Sequence, residues 1–155
     1  MTKKLASDLL TALAGKTLAT AESCTGGGIG QALTSVPGSS SVFLGGIISY
    51  TNAVKRKLLG VSDSLLEEFG AVSKEVAAAM AQGAVEALGA YAAISVTGLA
   101  GPDGDDRGNP VGTVFIGYRD PQNSAVRKYH FSGSRGEIRQ QAVEAALCLA
   151  LSMQH

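Results

Sequence analysis

Three times along this sequence, a short apolar segment with strand character passes directly into a polar turn. The segments are 17–22, 42–50 and 91–97, and two of the following turns, 23–28 and 98–110, are rich in glycine. In open α/β sheets, ligands bind in the crevice outside the carboxyl ends of the strands. We therefore predict that the three turns meet at one edge of a sheet, where a small molecule binds.

The remaining elements surround these strands and suggest the fold class. Two further strands are predicted at 111–118 and 125–131, and apolar residues at helical spacing predict helices at 3–14, 29–34, 51–59, 62–69, 74–88 and 134–151. Strands alternate with helices in the first half, and a meander closes the second. This order predicts one α/β domain over 1–155, with three α/β/α layers and a mixed sheet.

Capping residues support several of the helix starts. Ser73 is suited to cap the Ala-rich helix 74–88, which could be a core layer or an interface. Ser-x-x-Glu capping boxes are predicted at Ser134/Glu137 and at Ser64/Glu67.

Charge and composition exclude several functional classes. Thirteen basic and thirteen acidic side chains give zero formal net charge, and aromatic residues make up only 5%. Neither a broad electrostatic grip on nucleic acid nor a row of stacking rings is expected. No apolar run approaches the roughly 18 residues of a membrane span, and the N-terminus lacks the apolar core of a signal peptide. We expect a soluble, cytoplasmic protein with no nucleic-acid or membrane partner.

The cysteines and histidines do not form a pattern of metal ligands. Cys24 and Cys148 are far apart, and the two histidines, His130 and His155, do not cluster with them. A structural zinc site is therefore not expected.

The turn after the first strand contains a candidate nucleophile, Ser23. Backbone N–H groups of Thr25, Gly26 and Gly27 could stabilise the oxyanion formed when this serine attacks a carbonyl. Alternatively, Ser23 or Thr25 only caps the next helix. Cys24 could compete as nucleophile, but no histidine lies in a recognisable partner motif, so packing as a small buried hydrophobe is the preferred interpretation.

A lysine at the start of the third helix is a candidate general base. If Thr51 or Asn52 is the N-cap, Lys55 lies in the first turn, where the helix dipole and burial both favour its neutral amine. Tyr50 could bridge Lys55 and Ser23 or orient the amine. The alternative is that Lys55 belongs to a solvated basic cluster at 55–57 and that Tyr50 is an edge aromatic.

The long connection after the third strand and the start of the last helix supply further candidates. Asp103, Asp105 and Asp106 lack the pattern of a calcium loop, so turn chemistry is preferred over metal binding. Arg135 and Arg139 lie four residues apart on one helix face, where they could clamp a phosphate or remain an exposed pair.

Seven motifs follow one another along the chain. They are AESCTGG at 21–27, SYTNAVK at 49–55, GV at 60–61, GAVS at 70–73, TGLAGPDG at 97–104, PVGTV at 110–114 and FSGSR at 131–135. In this order they resemble the CinA C-terminal domain family, whose stand-alone members include the PncC-type nicotinamide-nucleotide amidases. The resemblance covers nearly the whole chain.

The resemblance implies a three-layer α/β/α fold and hydrolysis of nicotinamide mononucleotide to nicotinate mononucleotide and ammonia. It places the serine nucleophile at Ser23 and the lysine and tyrosine of the base system at Lys55 and Tyr50. No metal or cofactor is expected, because a serine with a base supplies the nucleophile. Oxyanion or substrate contacts are expected from Thr25, Gly26, Gly27, Asn52, Thr97, Gly98, Ala100, Gly101, Arg135 and Arg139.

The sequence departs from the family pattern at two places that bear on the ligand. Gly45-Gly46 stands where many relatives carry an arginine before the glycine, and Asn109 stands where a lysine is common. Two alternatives stay open: an amidase for another carboxamide, and a non-catalytic nucleotide-binding regulatory module. We expect a small-molecule nucleotide substrate and a homo-oligomer, a dimer.

Overall fold

The computed structural model describes residues 1–154, in which five strands form one mixed sheet. The order across the sheet is β2-β1-β3-β4-β5; β1, β2 and β3 are parallel, while β4 and β5 are antiparallel to their neighbours. The mixed sheet predicted from the sequence is confirmed. The strands are β1 Leu18–Glu22, β2 Phe43–Ile48, β3 Ala92–Gly98, β4 Thr113–Arg119 and β5 Ser124–His130.

Within the described residues, six α-helices and one 3₁₀ turn, Ser39–Ser41, surround the sheet. The 3₁₀ turn was not predicted from the sequence. None of the helices within residues 1–154 has the length and apolar character needed to cross a bilayer. The helices are α1 Thr2–Ala12, α2 Gly28–Thr34, α3 Asn52–Leu59, α4 Asp63–Phe69, α5 Lys74–Leu88 and α6 Arg135–Ser152.

Two apolar clusters lie on opposite faces of the sheet, because successive side chains of a strand point to opposite sides. On β1, Leu18 belongs to the cluster beneath α1, α2 and α6, whereas Ala19 and Ala21 belong to the cluster beneath α4 and α5. On β3, Ile94 belongs to the first of these clusters and Ala93 to the second. Burial on both faces gives the three α/β/α layers that the sequence predicts.

Polar side chains cap three of the six α-helices within residues 1–154 at residues that the sequence suggested. Ser73 accepts from Val76 N–H, and Ser134 and Glu137 form the predicted capping box. The capping box predicted at Ser64 and Glu67 is wrong, since α4 begins one residue before Ser64. Ser62, with extended backbone, accepts from Leu65 N–H and is the actual cap.

Helix α5 is a core layer, as one of the two interpretations of 74–88 expects, with Val76, Met80 and Ala84 in the apolar cluster beneath α4 and α5. It crosses the sheet closely enough that a Cβ on Gly83 would lie 1.9 Å from the carbonyl oxygen of Leu59, the last residue of α3. A backbone atom at that distance cannot be displaced cheaply. Gly83 therefore sets how closely α5 approaches the helix that carries Lys55.

Gly83→Ala should lower the free energy of unfolding by about 1–3 kcal/mol, because the clash outweighs the better helix propensity of alanine. Gly136→Ala is the matched control, since it is also helical and a Cβ there meets nothing within 4 Å. The control should be neutral or stabilising by up to about 1 kcal/mol. Urea unfolding of both variants checks this, and equal stability of the two would contradict it.

Candidate active site

A buried lysine and a serine meet at the carboxyl edge of the sheet. Ser23 directly follows β1, and its N–H donates to the Val96 carbonyl of β3 at 3.0 Å. Lys55 lies in α3, capped by Thr51 as predicted, and is 1% exposed. Its Nζ is 3.1 Å from Ser23 Oγ and donates to the Ser49 carbonyl at 2.8 Å. Lys55 is therefore part of the buried site and not of a solvated cluster.

Burial lowers the pKa of Lys55. Desolvation lowers the pKa of Lys55 to about 8, because removal from water disfavours the charged form. A negative charge on Cys24 would oppose this, but burial raises the pKa of the Cys24 thiol to about 11. The thiol is therefore neutral where Lys55 titrates. Its place in the apolar core supports the packing interpretation of Cys24.

The three neighbours of Nζ are oxygens that can accept from the three N–H groups of an ammonium, and they also give a neutral amine a use for its lone pair. Besides Ser23 Oγ and the Ser49 carbonyl, the Tyr50 carbonyl lies 3.5 Å away. A neutral amine has two N–H groups and one lone pair. Both N–H groups can serve the two carbonyls, which leaves the lone pair for the Ser23 hydroxyl proton. The geometry thus suits proton transfer from Ser23 to Lys55.

Glu22, which sequence reasoning missed, anchors the turn after Ser23. Its buried carboxylate accepts from the Thr25 hydroxyl at 2.7 Å and from the Ile29 and Gly30 N–H groups at 2.9 and 3.0 Å. It thereby ties β1 to the first turn of α2. The available signal was an acidic residue at the end of a buried strand, directly before a polar helix start.

The predicted oxyanion donors differ in what their N–H groups do. The N–H of Gly26 donates to the Ser23 carbonyl at 3.1 Å, so it is occupied within the turn. Among residues 1–154, no acceptor lies within hydrogen-bond distance of the N–H groups of Thr25 and Gly27. Gly27, with φ +99°, is the N-cap of α2. Gly26 is therefore not a free donor in this arrangement. Thr25 and Gly27 keep free N–H groups, but neither residue lines the cavity.

Tyr50 lies at the mouth of the site, and its hydroxyl does not join Ser23 to Lys55. The ring is 59% exposed, and the hydroxyl accepts from Arg135 Nη2 at 3.1 Å. Only the main-chain carbonyl of Tyr50 approaches Lys55. The predicted bridging hydroxyl is thus not found, because the side chain extends from the strand end towards α6.

The loop after β3 forms the opposite wall of the cavity. Thr97 donates its hydroxyl to the Ala71 carbonyl at 2.7 Å, and Arg135 donates to the Gly101 carbonyl. The cavity has a volume of about 290 Å³. Residues from all three predicted turns line it: Ser23, Cys24, Tyr50, Asn52, Lys55, Thr97, Gly98, Ala100, Gly101, Asp103 and Arg135. The predicted convergence of the turns is confirmed.

The guanidinium groups of Arg135 and Arg139 contact different parts of the protein. Arg135 lines the cavity, whereas Arg139 reaches behind the Ser23 turn and donates to the Cys24 and Thr25 carbonyls at 3.0 and 3.3 Å. The predicted phosphate clamp is therefore not formed by the pair. Two side chains four residues apart share a helix face, but their long stems diverge.

The acidic loop shows the turn chemistry that the sequence suggested. Asp105 accepts from the N–H groups of Arg107 and Asn109 at 3.0 and 2.9 Å. These hydrogen bonds and the Asn109 side chain lower the pKa of Asp105. Within residues 1–154, no three His, Cys, Asp or Glu side chains are grouped so as to hold a metal ion.

Comparison with known proteins places this fold and site in one family. The family model for the CinA C-terminal domain matches residues 2–154. The chain belongs to the CinA C-terminal domain family. It is 53% identical over 135 residues to a CinA-like protein of Acaryochloris marina, which covers 86% of this chain and 32% of that relative. The chain thus spans about a third of the length of the first CinA-like relatives that it matches.

Other members match this CinA domain over most of their own length. A Pseudomonas putida protein named nicotinamide-nucleotide amidohydrolase PncC is 49% identical over 128 residues, 83% of this chain and 80% of that relative. The crystal structure of the competence/damage inducible protein CihA from Agrobacterium tumefaciens superposes with a TM-score of 0.92 at 40% identity, covering 98% of this chain and 96% of that one. The family predicted from the motifs is confirmed.

The two departures from the family pattern lie outside the Ser23–Lys55 pair. Asn109 donates to Asp105 Oδ2 at 2.7 Å and to the Val72 carbonyl at 3.3 Å, so it ties the long loop to the cavity wall. At the arginine position stands Gly45, where an added Cβ would meet nothing within 4 Å, whereas a Cβ on Gly46 would lie 2.1 Å from Thr20 Oγ1 of β1. Asn109 therefore stabilises the loop beside the cavity, and close packing requires the second glycine of the pair but not the first.

Replacing the amine of Lys55 should change how stability depends on pH. The unfolded lysine has a pKa near 10.5 and the folded one about 8, so between these values the unfolded state binds more protons. The free energy of unfolding of the wild type should therefore rise, relative to Lys55→Met, by up to about 3 kcal/mol from pH 8 to pH 10.5. Urea unfolding at both pH values measures this difference, and a gap that stays constant would contradict the shift.

Proposed function

We propose that this CinA domain hydrolyses the carboxamide of nicotinamide mononucleotide to nicotinate mononucleotide and ammonia, with Ser23 as nucleophile and Lys55 as base. The observation that carries the proposal is the 3.1 Å contact between Lys55 Nζ and Ser23 Oγ in an open cavity. A nucleophile beside a base whose pKa is lowered by burial is an arrangement suited to acyl transfer. Similarity to the Pseudomonas putida protein named for this activity supports the choice of substrate.

In the acylation step, neutral Lys55 takes the Ser23 hydroxyl proton as Oγ attacks the carboxamide carbon. The carbonyl oxygen gains the negative charge, and the free N–H groups of Thr25 and Gly27 are the candidate donors to it. The protonated amine then donates its proton to the leaving nitrogen. The C–N bond breaks, ammonia leaves and an ester to Ser23 remains.

In the deacylation step, water replaces ammonia. Lys55, neutral again, accepts a proton as the water attacks the ester carbon, and it returns a proton to Ser23 Oγ as the C–O bond breaks. The product is the carboxylic acid, which ionises in solution. The same lysine therefore acts as base and acid in both steps.

The cavity also offers groups for the remainder of a nucleotide. Arg135, exposed at the rim, carries a guanidinium suited to a phosphate, and Tyr50 presents its ring to the same space. Asp103 also lines the cavity, and its carboxylate suits the positive charge of the pyridinium ring. The cavity thus offers a basic and an acidic side chain to a ligand that carries a phosphate and a cationic ring.

The first experiment is ammonia release from nicotinamide mononucleotide by the purified chain. The wild type should release ammonia with and without a chelator, because the serine and its base supply the nucleophile. Ser23→Ala should lose at least about a thousandfold in kcat. Nucleotide binding without ammonia release would favour a regulatory module, and release only from other carboxamides would favour a different amidase.

The rate should depend on the protonation of Lys55. Because burial lowers the pKa of Lys55 to about 8, kcat/KM should rise about tenfold per pH unit below that value and level off above it. Initial rates from pH 6 to pH 9.5 measure the profile. A profile that is flat across this range would show that the base titrates elsewhere.

The hydroxyl of Tyr50 should be dispensable for proton transfer. Since it bonds to Arg135 and not to Ser23 or Lys55, Tyr50→Phe should lower kcat by less than about tenfold. Lys55→Met is the comparison variant and should lose at least about a thousandfold. A loss in Tyr50→Phe as large as that in Lys55→Met would restore the tyrosine as a proton carrier.

A further inference from the structure

Arg139 directs its guanidinium at the main chain of the nucleophile turn. Nε donates to the Cys24 carbonyl at 3.0 Å and Nη2 to the Thr25 carbonyl at 3.3 Å. A Cβ built on Gly26 would lie 3.1 Å from Nη2, so the guanidinium covers this part of the turn. Neither of the two ion pairs within residues 1–154 involves Arg139. Its charge therefore acts on peptide oxygens rather than on a carboxylate.

This contact fixes the direction of one particular N–H group. In a trans peptide, the C=O of one residue and the N–H of the next point in opposite directions. The Cys24 carbonyl points at Arg139, so the N–H of Thr25 points away from it. That N–H has no acceptor among residues 1–154. A cation at the oxygen end also polarises the peptide and strengthens its N–H as a donor.

Glu22 holds the same residue from the other side. Its carboxylate accepts from the Thr25 hydroxyl at 2.7 Å, while Arg139 holds the carbonyls on either side of the Thr25 Cα. Side chain and main chain of Thr25 are thus both fixed. A donor that is fixed before the reaction costs no reorganisation when charge develops on the carbonyl oxygen.

We propose that Arg139 is a positioning residue that orients and polarises the Cys24–Thr25 peptide, so that the Thr25 N–H donates to the oxyanion. This inference rests on the proposed amidase function. In this proposal, Arg139 stabilises the transition state indirectly, by holding a main-chain donor in place, and does not contact the substrate phosphate.

The kinetic test compares Arg139→Met and Arg139→Lys with the wild type on nicotinamide mononucleotide. An oxyanion donor acts in the transition state, so Arg139→Met should lower kcat about 10- to 100-fold and leave KM within about threefold. Arg139→Lys retains the charge but cannot hold both carbonyls. Its kcat should therefore lie between that of the wild type and that of Arg139→Met. Arg127→Met, an exposed arginine on β5, is the matched control and should retain wild-type kinetics.

A second measurement uses pyridine-3-boronic acid, whose tetrahedral adduct with Ser23 places an oxygen where the oxyanion forms. Its inhibition constant should weaken in Arg139→Met by about the same factor as kcat. Inhibition by the product, nicotinate mononucleotide, should stay within about threefold. A variant that merely lost folded protein would show lower apparent kcat with an unchanged boronate constant, because that constant reports only folded sites.

Three results would overturn the proposal. They are an increase in KM alone, which would indicate a phosphate contact; an unchanged kcat in a folded variant; and an unchanged boronate constant. Failure of the underlying function is separate, since it would appear as no ammonia release by the wild type. Circular dichroism and thermal unfolding of each variant establish that the folded chains are compared.

Discussion

The site depends on keeping one amine out of water. Lys55 is almost fully buried, and its Nζ is met by two main-chain carbonyls and the Ser23 hydroxyl, with no carboxylate of residues 1–154 among its hydrogen-bond partners. Desolvation without a compensating anion is what lowers the pKa of Lys55. A carboxylate in the same place would hold the amine protonated and remove the base. The absence of such a partner is therefore as important as the contacts that are present.

Burial of that amine is a consequence of topology. The parallel strands β1, β2 and β3 end at the same edge, and Ser49 N–H donates to the Glu22 carbonyl at 2.7 Å, which joins two of the strand ends. Helix α3 starts at this edge, and α5 packs closely against its last residue through Gly83. Serine and lysine are thus held by separate elements of the core, so their separation changes little unless the core itself moves.

The sequence was sufficient to predict what depends on periodicity and on local capping. The strands, the helices, the Ser134 cap and the meeting of three turns all follow from patterns within a few residues, and the same patterns leave Thr51 and Asn52 as the two possible caps of α3. The roles proposed for Ser23, Lys55 and Tyr50 rest on resemblance, because each residue type also has a common structural use at such positions. The start of α4 was predicted wrongly, because the spacing of Ser64 and Glu67 suits a capping box, whereas Ser62 is the residue that caps the helix.

What the sequence could not predict are the partners of long side chains. Arg135 and Arg139 have the same helix face and the same chemistry, yet one reaches the cavity and the other the back of the Ser23 turn. Tyr50 likewise extends towards Arg135 and away from Lys55. The site therefore divides into a buried half, with Ser23, Lys55 and Glu22 fixed by the core, and an exposed half formed by flexible side chains. In the proposed function, bond cleavage belongs to the first half, so changes in the exposed half should alter which carboxamide is bound before they alter how it is cleaved.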